Sequence, residues 1–560
     1  MGDRHYFLQR PRNLPLLVAL CLVAGCAGFL SFTSGRSSMM QTLEDAELSG
    51  ADLGRARFVY DDFGHLTIDT LSTNALPWKM TSAALVLYET RESGDPPDAA
   101  LLRDIYQRFG FIYPSALANW QDGLIDGQKP LGIVTAPISR LIPNLSIEVA
   151  NFSCASCHGG RLFDSDGLAT NDVWLGLPNT SLDLDGYTDA VFHSLRYAVQ
   201  NEAALLATVE QLFPHVQDDE LIAITRYLVP LAQDRLAALE SGINRALPFL
   251  NGGPGTTNGL AALNIRLNLA SADQSMDVPA YVSIPQLVDV GFRSSLLCDG
   301  VYYPPGRSQF ERIDSTDTSA THNEALARMV AFFTTPTQGG DPESAVRAMP
   351  AVIESFQFLG AYESPSFPGT VDSALAAQGR AVYKRYCAAC HGDYSQDAQH
   401  PELTSFPNVA VPLDQIKTDP MRSELISQKL LDAINKSAVA NYVAARRTDA
   451  YVAPSLTGIW STAPYLHNGS VPTLWHLMHP KQRPLRFAVG GHRLNYDKMG
   501  IDGSLQSDGV YRFPENYEPM SRSTVFDSAL PGKSNSGHEN PFAEMTENDK
   551  TAVLEFLKLL

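Results

Sequence analysis

The chain has 560 residues, too many for one compact core, so two or three domains are expected. Hydrophobic residues at 44% and charged residues at 18% exclude extended disorder. A formal net charge of -19 argues against a nucleic-acid partner, and any redox partner is expected to be basic.

At the N-terminus Arg4, Arg10 and Arg12 precede an apolar run that begins at Leu14, the pattern of an export signal over residues 1–25. Val23-Ala24-Gly25-Cys26 reads as a lipobox, in which Cys26 is acylated and tethers the mature protein to a membrane. The alternatives are an uncleaved anchor over residues 14–32 and simple cleavage of the signal. In every case the bulk of the chain is exported from a bacterial cytoplasm, to a periplasmic or outer-membrane-associated location.

The stretch SCASCHGG, Ser153 to Gly160, is the first of two similar boxes. Downstream of it, DDELIAITRYLVPLA predicts a helix with an apolar face through Leu221, Ile224, Tyr227 and Leu228, ended near Pro230. Glycine- and proline-rich segments follow, with one helix in NEALARMVAFF. DSALAAQGRAVYKRY predicts a helix capped by Asp372, and the second box, YCAACHGD from Tyr386 to Asp393, follows at once. The C-terminal TENDKTAVLEFLKLL starts with Thr546 and Asp549 at capping-box spacing.

Of seven cysteines, two lie in the export segment, four in the boxes, and Cys298 stands alone as a small buried hydrophobe. No pair remains for a disulfide framework. In Cys-x-x-Cys-His the thiols lie one helical turn apart, within reach of the two vinyl-derived carbons of a haem, and the adjacent histidine falls beneath the iron. The boxes therefore predict two covalently attached haem c groups, on Cys154 and Cys157 with His158, and on Cys387 and Cys390 with His391. Zinc would need its ligand pairs together, and a thioredoxin-like dithiol needs a βαβ setting that the surroundings lack.

This organisation predicts a mainly α fold with two cytochrome-c-like modules joined by a loop-rich bridge. The expected divisions are an N-terminal portion of undefined fold over 26–130, a first haem module over 131–235, a bridging segment over 236–370 and a C-terminal haem domain over 371–560.

The stretches GIWSTAPYLHNGSVPTLWHLMHP (Gly458 to Pro480), FAVGGHRLNYDKMG (Phe487 to Gly500) and KSNSGHEN (Lys533 to Asn540) resemble the bacterial dihaem cytochrome c peroxidase superfamily. Within it the nearest likeness is to the dihaem rubber oxygenases and the dihaem fatty-acid dioxygenases. The resemblance implies an N-terminal haem with an open distal side and a C-terminal haem closed by a second histidine, which maps to His538. Met478, Met499, His467 and His492 are rival sixth ligands. The resemblance also implies an interdomain calcium held by backbone oxygens near Thr462 and Pro464, whereas His467 itself reads as a histidine that ties a loop to a haem propionate or to the backbone.

The peroxidases present a distal glutamate and glutamine soon after the first box, and neither is found here. An apolar distal pocket would suit dioxygen and a hydrocarbon; Phe213, Tyr281 and Phe292 are candidate lining residues that read first as core packing, and Trp174, a candidate electron path, reads first as aromatic core filler. The expected activity is oxygenation of an unsaturated lipid or polyisoprenoid. The alternatives are reduction of hydrogen peroxide and electron carriage without catalysis.

Overall fold

The computed structural model describes residues 37–45, 47–63, 76–140, 144–242, 251–267, 269, 278–337, 341–360 and 362–560. The export segment and Cys26 lie outside them. Among the described residues no helix is long and apolar enough to cross a membrane. Helix makes up 41% and strand 16%, so the expected mainly α chain is a mixed one in which helices dominate.

The first core gathers helices Trp78–Glu89, Ala99–Arg108, Leu184–Gln200 and Glu202–Leu212 around a hairpin of Ile133–Arg140 with Leu145–Phe152. The strand LSIEVANF alternates apolar and polar residues over Leu145–Val149, which buries one face there and sets the register. Its last residue, Phe152, pairs with Ile133 and delivers the chain directly to the first box helix, Cys154–His158. Lys79 bonds Glu220 at 2.6 Å and lies 3.2 Å from Glu148, tying the first helix to hairpin and helix together.

The helix expected to end near Pro230 continues instead. Asp218–Ala223 passes through a π turn, Ile224–Leu228, into Val229–Gly242. Val229 N–H donates to the Ile224 carbonyl, and this widened turn accommodates the missing N–H of Pro230.

Residues 236–370 contain more than the one expected helix. Ala320–Thr337 packs on Pro342–Leu359, which in turn packs on Gly50–Tyr60. Pro350 sits inside the second of these helices, which Asp341 caps by accepting from Ser344 N–H at 2.8 Å. The contact with Gly50–Tyr60 is backbone to backbone at Gly54, where a β-carbon would lie 2.7 Å from Phe358 N.

The C-terminal core has Ser373–Tyr386 crossing Glu547–Leu557, both capped as their sequences predict. At the crossing a β-carbon on Gly379 would lie 1.9 Å from the Ala552 carbonyl oxygen, so only glycine permits the approach. Between these helices the chain adds a four-stranded sheet, ordered Ser504–Leu505, Val510–Arg512, Arg486–Val489 and Thr524–Asp527.

Candidate haem sites

Each box folds as a short helix that ends on its histidine. His158 Nδ1 lies 3.0 Å from the Pro285 carbonyl, and His391 Nδ1 lies 2.8 Å from the Pro454 carbonyl. A carbonyl can only accept, so each Nδ1 carries the proton and each Nε2 is left to bind a metal. Burial lowers the pKa of His158 to about 4, and it lowers that of His391 as well, which keeps both rings in the neutral, ligating form.

All four box cysteines are free. Burial raises the thiols of Cys154, Cys157 and Cys387 to about 12. A redox dithiol needs the opposite shift, so the thioredoxin-like alternative has no support here. Free thiols one turn apart beside a neutral, carbonyl-anchored histidine fit covalent haem c.

The two proximal carbonyls belong to a repeat that sequence inspection missed. Pro285-x-Leu287 and Leu297-x-x-Gly300 recur, at the same separation, as Pro454-x-Leu456 and Leu466-x-x-Gly469. The backbones agree: Asp289, Leu297 and Gly300 have φ of 58°, 65° and 60°, and Gly458, Leu466 and Gly469 have 69°, 67° and 67°. Each loop carries one turn of 3₁₀ helix, Val290–Phe292 or Ile459–Ser461, and one bridge, Leu296 to Tyr302 or Tyr465 to Val471.

The loops also bond each other reciprocally. Ser283 N–H donates to the His467 carbonyl at 2.7 Å, and Val452 N–H donates to the Cys298 carbonyl at 2.7 Å. Ser283 and Val452 are equivalent positions, as are Cys298 and His467, so the loops face each other across a local pseudo-two-fold axis. Cys298 is half-buried at this junction, and the His467 ring stands 4.2 Å from the Tyr451 ring.

On the other side of His391 stands His538, its ring centroid 6.1 Å away. Two metal–nitrogen bonds of about 2 Å placed end to end, with part of each ring added, span about that distance. Burial lowers the His538 pKa to about 4, with His391 adding to the shift. Met478 and Met499 are buried in the C-terminal core, and His492 packs against Phe163 at 6.5 Å. Of the five rival residues, His538 is the one whose ring meets His391.

The remaining candidates disperse. Phe213 packs at the edge of the first core, Tyr281 lies under the Lys533 ammonium at 5.1 Å, and Phe292 borders the C-terminal core. Trp174 Nε1 donates to the Glu363 carbonyl at 3.0 Å, joining the strand after the first box to the segment that leads to the second. Thr462 Oγ1 donates to the Ile459 carbonyl at 3.1 Å. Near Thr462 and Pro464, Ser461 lines a small polar cavity with Arg161, Asn179, Ser181 and His492, and no carboxylate lines it.

Two family matches fall on the C-terminal half. Residues 374–441, which enclose the second box, match the cytochrome c oxidase, cbb3-type, subunit III family. Residues 450–488, which carry Pro454 and His467, match the RoxA-like, cytochrome c-like family. With the second box, these matches mark the C-terminal half as cytochrome c-like and related to the RoxA-like proteins, and they imply covalently bound haem c. Among curated proteins it is 29% identical over 216 residues to the uncharacterized protein y4iM of Sinorhizobium fredii (strain NBRC 101917 / NGR234), an alignment covering 36% of this chain and 48% of that protein. It is 28% identical over 252 residues to y4iJ of the same strain, covering 34% of this chain and 40% of that one. The chain thus spans about half the length of the curated relatives it matches.

Proposed function

We propose that the protein is an exported dihaem c oxidoreductase that uses dioxygen at the His158 site to oxygenate an unsaturated lipid or polyisoprenoid. The second site, ligated by His391 and His538, is a six-coordinate electron-transfer partner. The observation that carries this reading is the asymmetry of the two histidines: His391 is faced by a second imidazole, whereas among the described residues no second imidazole ring meets His158. Haem c supplies one-electron chemistry, and dioxygen chemistry where a coordination position stays open.

The chain's own residues prepare that site. The Pro285 carbonyl fixes the His158 tautomer and ring orientation. Cys154 packs against an apolar cluster that includes Tyr60, Phe63, Trp120, Leu175 and Phe332, which excludes water and suits a hydrocarbon chain. The RoxA-like match on the C-terminal half is consistent with an oxygenase.

Peroxide reduction is the second reading, favoured by Asp61, a buried carboxylate close enough to raise the Cys154 thiol. Against it, the Asp61 oxygens are engaged by Arg57 at 2.6 Å and by Phe63 N–H at 2.8 Å, which restrains the carboxylate as a proton shuttle.

The test is oxygen uptake by the purified protein on presentation of oleate or polyisoprene, without added reductant and with catalase present to remove peroxide. Uptake with an oxygenated product is the expected result. No uptake, with turnover on peroxide and a reduced small cytochrome c, would overturn the oxygenase reading in favour of the peroxidase.

A further inference from the structure

His538 sits in a conformation uncommon for any residue that carries a β-carbon. Gly537 has φ of 82° and His538 has φ of 51°, two consecutive residues in the left-handed region, and histidine carries a β-carbon there. The loop has no slack to relax: a β-carbon on Gly537 would lie 2.3 Å from Thr418 N, and His538 N–H already donates to the Ile416 carbonyl at 2.8 Å. Such a backbone persists only where its surroundings over-determine it.

We infer that Arg483 is the positioning residue that holds this loop, and with it the His538 ring, against His391. Its guanidinium makes four bonds, all to main-chain carbonyls. Nε donates to His476 at 3.2 Å and one terminal nitrogen to Leu477 at 2.8 Å, at the end of the short helix Leu474–Met478. The other terminal nitrogen donates to Asn535 at 2.6 Å and to Gly537 at 2.9 Å, the latter immediately before His538.

The helix end is a fixed point. Leu474, His476 and Met478 are buried, Thr473 caps the helix, and Leu474 N–H donates to Met499 at 2.8 Å. The arginine therefore transfers the rigidity of that helix to the peptide that carries the ligand. A planar fork with donors in two directions is needed for this, and a lysine offers one point charge instead. Other side chains tie the loop as well: Asn468 donates to the Gly532 and Ser534 carbonyls, Lys533 donates to the Asn251 and Gly252 carbonyls, and Ser536 Oγ donates to the Lys417 carbonyl at 3.2 Å, but Arg483 is the side chain that bonds the peptide next to His538.

The inference rests on the reading of His538 as the sixth ligand, so the experiment carries its own control. Visible and electron paramagnetic resonance spectra are recorded on the purified holoprotein and on His538→Ala, Arg483→Met and Arg483→Lys, each with haem content measured. His538→Ala is expected to make the second haem fully high spin, with low spin restored by added imidazole. Arg483→Met is expected to raise the high-spin fraction of that haem at least tenfold and to admit carbon monoxide there, and Arg483→Lys to fall between it and the parent protein. Should Arg483→Met not fold, Arg483→Lys alone carries the comparison. Arginine variants with the parent's low-spin spectrum and carbon monoxide response, beside a high-spin His538→Ala, would overturn the inference while leaving the ligand reading intact. A low-spin His538→Ala would instead overturn the ligand reading, and the inference with it.

Discussion

Pro285 and Pro454 receive the two box histidines at 3.0 and 2.8 Å, from loops that repeat the same turns and bond each other reciprocally. On their opposite sides the histidines differ: His391 meets His538 at 6.1 Å, on a loop pinned by several side chains, and His158 meets no second imidazole among the described residues. The conserved geometry of the proximal support holds an imidazole in place and says nothing about use. What separates a relay from a reactive site is the residue brought to the far side, and among the described residues an imidazole is brought there only to His391, by the C-terminal loop.

The largest test of this comparison removes one box at a time. Cys154→Ser with Cys157→Ser, and Cys387→Ser with Cys390→Ser, should each lower the haem content by one haem per chain, read as the pyridine haemochrome. The first pair should abolish the carbon monoxide response and the second the low-spin signal. Loss of the same signal from both pairs would show that the two sites are alike.

The repeat itself can be probed at Asp299 and Asn468, which occupy equivalent places. Asp299 is fully buried and bonds Arg422 at 2.8 Å, so Asp299→Ala leaves an uncompensated buried guanidinium and should cost about 3–5 kcal/mol. Asn468→Ala loses two bonds to the ligand loop, at 3.2 and 3.1 Å, and should cost about 1–3 kcal/mol. Chemical denaturation measures both. Equal losses would mean that the buried charge in the first loop is no more demanding than the amide in the second.

Much of this was legible in the sequence because it is local. The boxes are five residues long, the helices around the second box announce themselves through Asp372 and the Thr546/Asp549 pair, and His538 stands in a marked glycine-containing loop. The partner of His158 was not legible, since Pro285 lies 127 residues away, and the corresponding separation in the second site is 63. Residue identities in the two loops are too degraded to reveal the repeat, whereas their left-handed positions preserve it. Proline misled once, since Pro230 follows a π turn that absorbs it; Pro350 likewise sits inside a helix that tertiary packing stabilises.

A pH-dependent effect is expected at the seam between the halves. Asp185, in the first turn of Leu184–Gln200, accepts from Gly252 N–H at 3.3 Å and faces Asp183 and, from the C-terminal half, Lys533. Burial raises its pKa to about 7, and Asp183 adds to the rise, while the Gly252 N–H and Lys533 oppose it. The folded protein therefore holds this proton more tightly than the unfolded chain, whose carboxyl titrates near 4. The stabilisation it gives is complete below about pH 4 and is lost as the pH rises through about 7, at no more than about 1.4 kcal/mol per pH unit. Buried neutral histidines such as His158 and His467 give the opposite slope at acid pH, so the quantity to follow is the difference between Asp185→Asn and the parent. Thermal unfolding from pH 4 to 8 should show Asp185→Asn gaining on the parent across that window and levelling off above it. A difference independent of pH would mean that Lys533 already keeps Asp185 ionised, and that an ion pair, not a protonated carboxyl, joins the two halves.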